Sequence, residues 1–137
     1  DPNLTLWHGH SFTATPLGCA AANASLDLLE AEPDKYLGFE ARHRSRLEVL
    51  ARHPGIRRVR LTGTIAAFDL VVTDQEGYLN PAGKVLRRLA RERGVLVRPL
   101  GQVVYLLPPL CISDEQLDHC YSVLQEALDL LQKQATS

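Results

Sequence analysis

The sequence predicts an α+β fold, a mainly antiparallel sheet with helices covering one face. Three observations predict it. Short apolar runs at 56–62 and 65–72 are separated only by Gly63 and Thr64, as in a hairpin. The first run alternates Val59 and Leu61 with Arg58, Arg60 and Thr62, the pattern of a strand with one wet face. Longer segments with apolar residues at helical spacing precede, separate and follow the short runs.

Residues 1–14 lack periodicity and read as an extended or looping arm. Thr15-Pro16 gives an N-cap and a proline at the first helical position. A helix follows to Glu30, with Leu17, Ala21, Ala24 and Leu28 recurring at its period. Alanines on several of its faces predict close packing against neighbours. Pro33-Asp34 breaks it. A second helix is predicted from Lys35 to Arg52, with Leu37, Ala41, Leu47 and Leu50 inward, and His53-Pro54-Gly55 ends it. Strands at Ile56–Thr62 and Ile65–Val72 lead to the turn signature Asp74-Gln75-Glu76-Gly77. Asn80-Pro81 repeats the cap-plus-proline signal. Its helix runs to Arg93, with Val85, Leu86, Leu89 and Ala90 inward and Gly94 as the C-terminal cap. Val95–Arg98 reads as a short strand, Pro99-Leu100-Gly101 as a turn, and Gln102–Leu107 as another strand stopped by Pro108-Pro109. Ser113 and Gln116 form a capping box for a last helix with the stripe Leu117, Tyr121, Leu124, Leu128 and Leu131.

The length of 137 residues suits one domain or one domain plus an arm. A net charge of −1, with both signs mixed along the chain, gives no electrostatic reason to expect nucleic acid or an anionic membrane as partner. No apolar run approaches the ~20 residues that span a bilayer, and no signal-peptide pattern is present, so a cytoplasmic location is expected. Cys19, Cys111 and Cys120 are odd in number with no C-x-x-C spacing, which predicts free thiols. The chain starts at Asp1 and contains no methionine, and so reads as a piece of a longer protein.

Five features offer chemistry. His8 and His10 form a His-x-His pair, but no third metal ligand is evident, and two polar loop residues are the simpler account. Gly9 allows a ligand close to the backbone. The Ser11 hydroxyl, with the backbone donors of residues 11–13, suits a phosphate. Arg98 ends an apolar run and must find an anion or reach water. A substrate carboxylate, gripped by two parallel hydrogen bonds, and an internal Asp or Glu satisfy it equally well. Tyr105 reads by default as a core tyrosine, with lining of a substrate pocket as the minority reading.

Two segments resemble a known family. Trp7-His8-Gly9-His10-Ser11-Phe12-Thr13-Ala14-Thr15-Pro16-Leu17 with its alanine-rich continuation is similar to the stretch downstream of the cofactor lysine in class III pyridoxal-phosphate-dependent aminotransferases. Gly94-Val95-Leu96-Val97-Arg98-Pro99-Leu100-Gly101, followed by Tyr105-Leu106-Leu107-Pro108-Pro109, resembles the C-terminal strand region of the same family, in particular its biotin-pathway branch.

That resemblance implies the C-terminal small domain of a fold-type I transferase at 34–137, with 1–33 belonging to, or bridging from, a large cofactor domain. It implies pyridoxal 5'-phosphate as cofactor and a homodimer. The implied reaction is transfer of an amino group from S-adenosylmethionine to 8-amino-7-oxononanoate. Ser11 matches the family's Thr/Ser at the cofactor phosphate of the opposite subunit, with Gly9 and His10 bordering the site. Arg98 matches the arginine that holds the substrate carboxylate, and Tyr105 a tyrosine beside the substrate pocket.

Two departures accompany the likeness. Thr15 stands where the family has Asn before Pro-Leu. Among Lys35, Lys84 and Lys133, none lies in the cofactor-lysine motif, so this polypeptide alone is expected not to transaminate. Isolated, it is expected to self-associate through the apolar surface of the arm and first helix. Two other readings remain open: a relative acting on ornithine, 4-aminobutyrate or another ω-amino donor, and a stand-alone α+β binding module.

Overall fold

The computed structural model describes residues 9–72 and 76–135. The expectations for Trp7 and His8, and part of the Asp74–Gly77 turn, lie outside them. The elements run α1 (Pro16–Ala31), α2 (Pro33–Leu37), α3 (Phe39–Leu50), β1 (Ile56–Thr62), β2 (Ile65–Leu70), α4 (Ala82–Arg91), β3 (Val103–Leu106) and α5 (Asp114–Ala135). The chain divides into two compact units, Asp1–Tyr36 and Leu37–Ser137.

In the first unit, α1 begins at the predicted Thr15-Pro16 signal. Thr15 takes the extended cap conformation, but its hydroxyl donates to the Phe12 carbonyl at 3.2 Å instead of capping the helix amides. No residue of α1 is buried among the described residues, so the close packing predicted from its alanines is not made within this unit. Pro33 ends one helix and, with its φ preset, opens the short α2.

In the second unit, β1, β2 and β3 form an antiparallel sheet in the order β1-β2-β3. Thr62↔Ile65 closes the predicted hairpin. Leu106, Tyr105, Val104 and Val103 pair with Ala66, Ala67, Phe68 and Asp69. Side chains alternate across the sheet, so Ala66, Phe68, Leu70, Val104 and Leu106 face one way. They join one apolar core with Leu47 and Leu50 of α3, Leu86, Leu89 and Ala90 of α4, and Leu117, Tyr121, Leu124 and Leu128 of α5. The opposite face carries Ala67, Asp69, Val103 and Tyr105.

Four expectations are corrected. The second helix starts at Phe39, not Lys35, because the chain breaks at Gly38. Phe39 and His43 fill the inward positions given to Leu37 and Ala41, and Leu37 is exposed. Arg58 adopts a positive φ of 50° at a bulge between Arg57 and Arg60, which breaks the alternation read from the sequence and leaves Val59 exposed. Val95–Arg98 buries alternate residues, as a strand does, but joins no ladder among the described residues.

The bulge brings two arginines onto one carboxylate. Asp69 is buried, yet it accepts from Arg60 Nη1 at 2.7 Å and from Arg58 Nη1 at 3.2 Å. Glu76 pairs with Arg57 and, at 2.9 Å, with Arg58. A buried carboxylate is tolerable only with such partners.

The capping box forms in both directions. The Gln116 amide donates to Ser113 Oγ at 3.1 Å, and the Ser113 amide to Gln116 Oε1 at 3.0 Å. Ser113→Ala is therefore expected to cost about 1 kcal/mol, read from urea unfolding. A change below a few tenths would mean the cap is not engaged in solution.

α3 is tied to α5 around a buried histidine. Arg46 bonds Asp118 at 2.6 Å, Arg42 bonds Asp114 at 3.0 Å, and between them His43 Nδ1 lies 2.8 Å from the Tyr121 hydroxyl. His43 Nε2 is buried without a hydrogen bond of normal geometry. Burial, and then the neighbouring Arg46 and Arg42 charges, hold the His43 pKa below its ordinary 6.5, while the Thr64 carbonyl opposes the shift only in part. The unfolded chain thus binds this proton at a higher pH than the folded one. Stability is full above pH 6.5 and falls as pH drops from there toward the depressed folded value. The thermal midpoint is expected to fall between pH 7.5 and 5, and His43→Phe to flatten part of that slope. An identical slope in the variant would remove His43 as the cause.

Candidate functional site

The first unit presents a tight turn before α1. The Thr13 amide donates to the His10 carbonyl at 2.9 Å, and the Phe12 amide to His10 Nδ1 at 3.1 Å. The second bond fixes the His10 ring as acceptor at Nδ1. Thr13 Oγ1 accepts the His10 amide at 2.8 Å. Ala14 closes the turn at φ 57°, a left-handed conformation rare outside glycine. Ser11 is exposed at the apex, and its hydroxyl makes no hydrogen bond among the described residues. A Cβ at Gly9 would meet open space, so nothing within this unit demands glycine there.

The second unit holds a separate cleft of about 720 Å³. Its walls are the segment Gly94–Arg98, the end of β3 with Leu107-Pro108-Pro109, and the first turns of α5. Arg98 and Tyr105 both line it. Val95 and Val97 point into the core, so the intervening Leu96 and Arg98 point out on the side of Tyr105. Arg98 is exposed and makes no hydrogen bond or ion pair among the described residues. Among the described residues, then, no carboxylate holds it. Tyr105 is half-buried on the sheet face away from the core, which corrects its default reading as a core tyrosine.

Leu96, Leu107, His119 and Cys120 also line this cleft and were not singled out from the sequence. The phase of 95–98 gave the signal for Leu96: with Val95 and Val97 inward, it had to face out. His119 is held by Nε2 donating to the Arg93 carbonyl at 3.2 Å. Burial pushes the Cys120 thiol up, away from a reactive thiolate. All three cysteines are free, as expected.

The first unit thus offers an exposed turn bearing Ser11, and the second an apolar-walled cleft lined by both Arg98 and Glu115. Among the described residues no group of three or more His, Cys, Asp or Glu could hold a metal, and no helix is long and apolar enough to cross a membrane. Of the three lysines, Lys84 and Lys133 are exposed on α4 and α5.

Comparison with known proteins bears on both segments. The adenosylmethionine-8-amino-7-oxononanoate aminotransferase of Synechococcus elongatus is 51% identical over 129 residues, 94% of this chain and 30% of that relative. The enzyme of the same name from Geobacter sulfurreducens is 36% identical, over 90% of this chain and 29% of its own. The chain therefore spans just under a third of the length of these two relatives. Among solved structures, a transaminase variant in complex with SMBA aligns with a TM-score of 0.81 at 30% identity, covering 97% of this chain and 33% of its own. The adenosylmethionine-8-amino-7-oxononanoate aminotransferase of Methanocaldococcus jannaschii aligns at 0.79 and 28% identity, covering 92% and 30%. The family described as aminotransferase class III matches residues 2–128, and this chain belongs to it.

Proposed function

We propose that this chain is the C-terminal part of a pyridoxal-phosphate-dependent aminotransferase of biotin biosynthesis. The full protein would move an amino group from S-adenosylmethionine to 8-amino-7-oxononanoate and act as a homodimer. The observation that carries this reading is Arg98: an outward guanidinium paired with no acid among the described residues, on an apolar-walled cleft, in a chain 51% identical to an adenosylmethionine-8-amino-7-oxononanoate aminotransferase. In this reading residues 34–137 form the small domain, and 1–33 lead from the large one.

The residues present fit one end of the cofactor. The turn at Ser11 offers a free hydroxyl that suits a phosphate, with His10 and Gly9 beside it. They do not fit its ring: Lys84 and Lys133 lie exposed on α4 and α5, and neither lines the cleft with Arg98 and Tyr105. When bound, the cofactor supplies the electron sink for breaking the bonds to the amino carbon. The work of this chain is positional. Arg98 grips the substrate carboxylate in a fork, and Tyr105, Leu96 and Leu107 line the approach with apolar surface and one phenol hydroxyl.

Chain alone, with pyridoxal phosphate, is expected to show no turnover. It is also expected to show no absorbance band of a lysine-bound pyridoxal group that hydroxylamine discharges. Supplied with a polypeptide comprising the part of the Synechococcus elongatus relative that it does not match, it is expected to restore 8-amino-7-oxononanoate-dependent amino transfer. Activity with ornithine or 4-aminobutyrate and none with 8-amino-7-oxononanoate would replace the substrate assignment.

A further inference from the structure

Helix α4 carries a stripe of charge that the rest of the second unit does not answer. Arg87, Arg88 and Arg91 stand three, four and seven residues after Lys84, so the four share one face over about 10 Å of helix. All four are exposed, and none makes a hydrogen bond or ion pair among the described residues. Glu92, next in sequence, joins none of them. Arginine is treated differently elsewhere in this unit. Seven others reach a carboxylate, with Arg42 and Arg46 sharing Asp114 and Arg58 and Arg60 sharing Asp69. Helix stability does not account for the stripe. Like charges three and four residues apart repel. Arg88 and Arg91, in the last turn, gain from the helix dipole, but Lys84 stands in the first turn, at its positive end.

An apolar pair adjoins the stripe. Tyr78 and Leu79 are 76% and 88% exposed, and with Lys84 and Arg87 they line a hollow of about 330 Å³. Buried Asn80 fixes them beside the helix start. Its Oδ1 accepts the Ala82 amide at 2.9 Å, and its own amide donates to the Gly77 carbonyl at 3.0 Å. We propose that the α4 stripe, with Tyr78 and Leu79 at its N-terminal end, docks an acidic helix of a partner protein. That helix carries carboxylates at the same three- and four-residue spacing and an apolar side chain beyond them.

Charge, spacing and shape choose this partner. Four cations with no acid of their own call for a row of anions. They are held at helical spacing, so a second helix laid along α4 meets them with carboxylates on one of its faces. The apolar side of α4, with Leu86, Leu89 and Ala90, is already in the core, so α4 cannot lie in a membrane as an interfacial helix does. A stripe of about 10 Å neutralises few phosphates of a nucleic acid, and Leu79 gives its bases no ring to stack on. None of the six residues lines the cleft of Arg98 and Tyr105, so this surface and the proposed function stand or fall separately.

Fluorescence anisotropy tests the proposal with a labelled alanine-based peptide. The peptide bears glutamate at its first, fourth, fifth and eighth positions and Leu-Trp at one end. The chain is expected to bind it, and Arg87→Glu with Arg88→Glu to weaken binding about 10-fold or more. The Tm of that double variant should hold, since each new carboxylate lies four residues from a remaining cation. Leu79→Ser is expected to weaken binding about 3-fold through lost apolar contact. Arg44→Glu with Arg52→Glu, the same change of charge on another exposed surface, is expected to leave it within about twofold. Equal losses in the two double variants would make the attraction general and overturn the proposal. Equal affinity for a peptide with glutamate at every second position would overturn it too, by removing the helical match. So would an absence of binding, or tighter binding of single-stranded DNA of equal charge, which would give the stripe to a nucleic acid. Binding lost on adding the remaining part of the Synechococcus elongatus relative would assign the surface to the enzyme's own remainder and likewise overturn it.

Discussion

Arg98→Ala is expected to lower kcat/KM for the amino acceptor by about 10²–10³ in the reconstituted enzyme, as befits loss of a charge-assisted fork of hydrogen bonds worth about 3–4 kcal/mol. The expectation rests on what the side chain lacks. Arg42, Arg46, Arg58, Arg60 and Arg93 all reach a carboxylate within 3.2 Å, whereas Arg98, like Arg52, Arg87, Arg88 and Arg91, reaches none among the described residues, and of these five it alone lines the cleft with Tyr105. Arg98→Lys should recover little, because a single ammonium cannot match both carboxylate oxygens. Two controls separate binding from folding. The Tm of the chain should hardly move, since no internal contact is lost. A methyl ester of the acceptor should be used equally well by parent and variant, because neither can grip a carboxylate that is absent. Equal losses on acid and ester would make Arg98 a structural residue and remove the chief support for the proposed function.

Much of the fold was legible because local signals were strong. Proline at 16, the Ser113-Gln116 box and the Gly63-Thr64 break each act over a few residues, and α1, α5 and the β1–β2 hairpin start or turn where they said. The misses depended on tertiary partners. His43 took an inward position because Tyr121, seventy-eight residues on, offers it a hydrogen bond, and helical period alone favoured Ala41. The bulge at Arg58 is set by Asp69 across the ladder, which no periodicity in β1 reveals. Val95–Arg98 has the composition and alternation of a strand, but strandhood is a property of pairs. For the site, Arg98 and Tyr105 stood out in the sequence and share one cleft, but their common face followed only once β3 was registered against β2. The relation of Ser11 to them is a matter for the assembled enzyme, since it belongs to the other compact unit.

Gly101→Ala is expected to destabilise the second unit by about 3 kcal/mol or more, measured by urea unfolding. Gly101 sits at φ 62°, where an L side chain is strained by about 1 kcal/mol. A Cβ there would also fall inside contact distance of the Gly77 carbonyl oxygen and only 2.9 Å from the Tyr78 Cα, all main-chain atoms that cannot rotate away. Gly83 makes the sharper test, because two effects oppose each other. Gly83 is the second residue of α4, and there glycine to alanine should stabilise by less than the ~1 kcal/mol of a helix interior. The added Cβ, however, would collide with the Gly101 carbonyl oxygen and lie 2.6 Å from the Pro99 Cβ. Forced overpacking against backbone costs about 1–3 kcal/mol, so the clash wins and Gly83→Ala destabilises. Gly63→Ala separates strain from packing: its φ is 54°, but a Cβ there meets nothing within 4 Å, so only the ~1 kcal/mol of conformational strain should appear. The order Gly101 above Gly83 above zero, with Gly63 near 1, follows if helix α4, the Gly77 turn and the Pro99–Gly101 loop are packed backbone to backbone. That packing holds the loop that joins Arg98 to the Leu100–Val103 bridge and β3. A stabilised Gly83→Ala variant would show the loop standing off α4 in solution and its guanidinium without a fixed base.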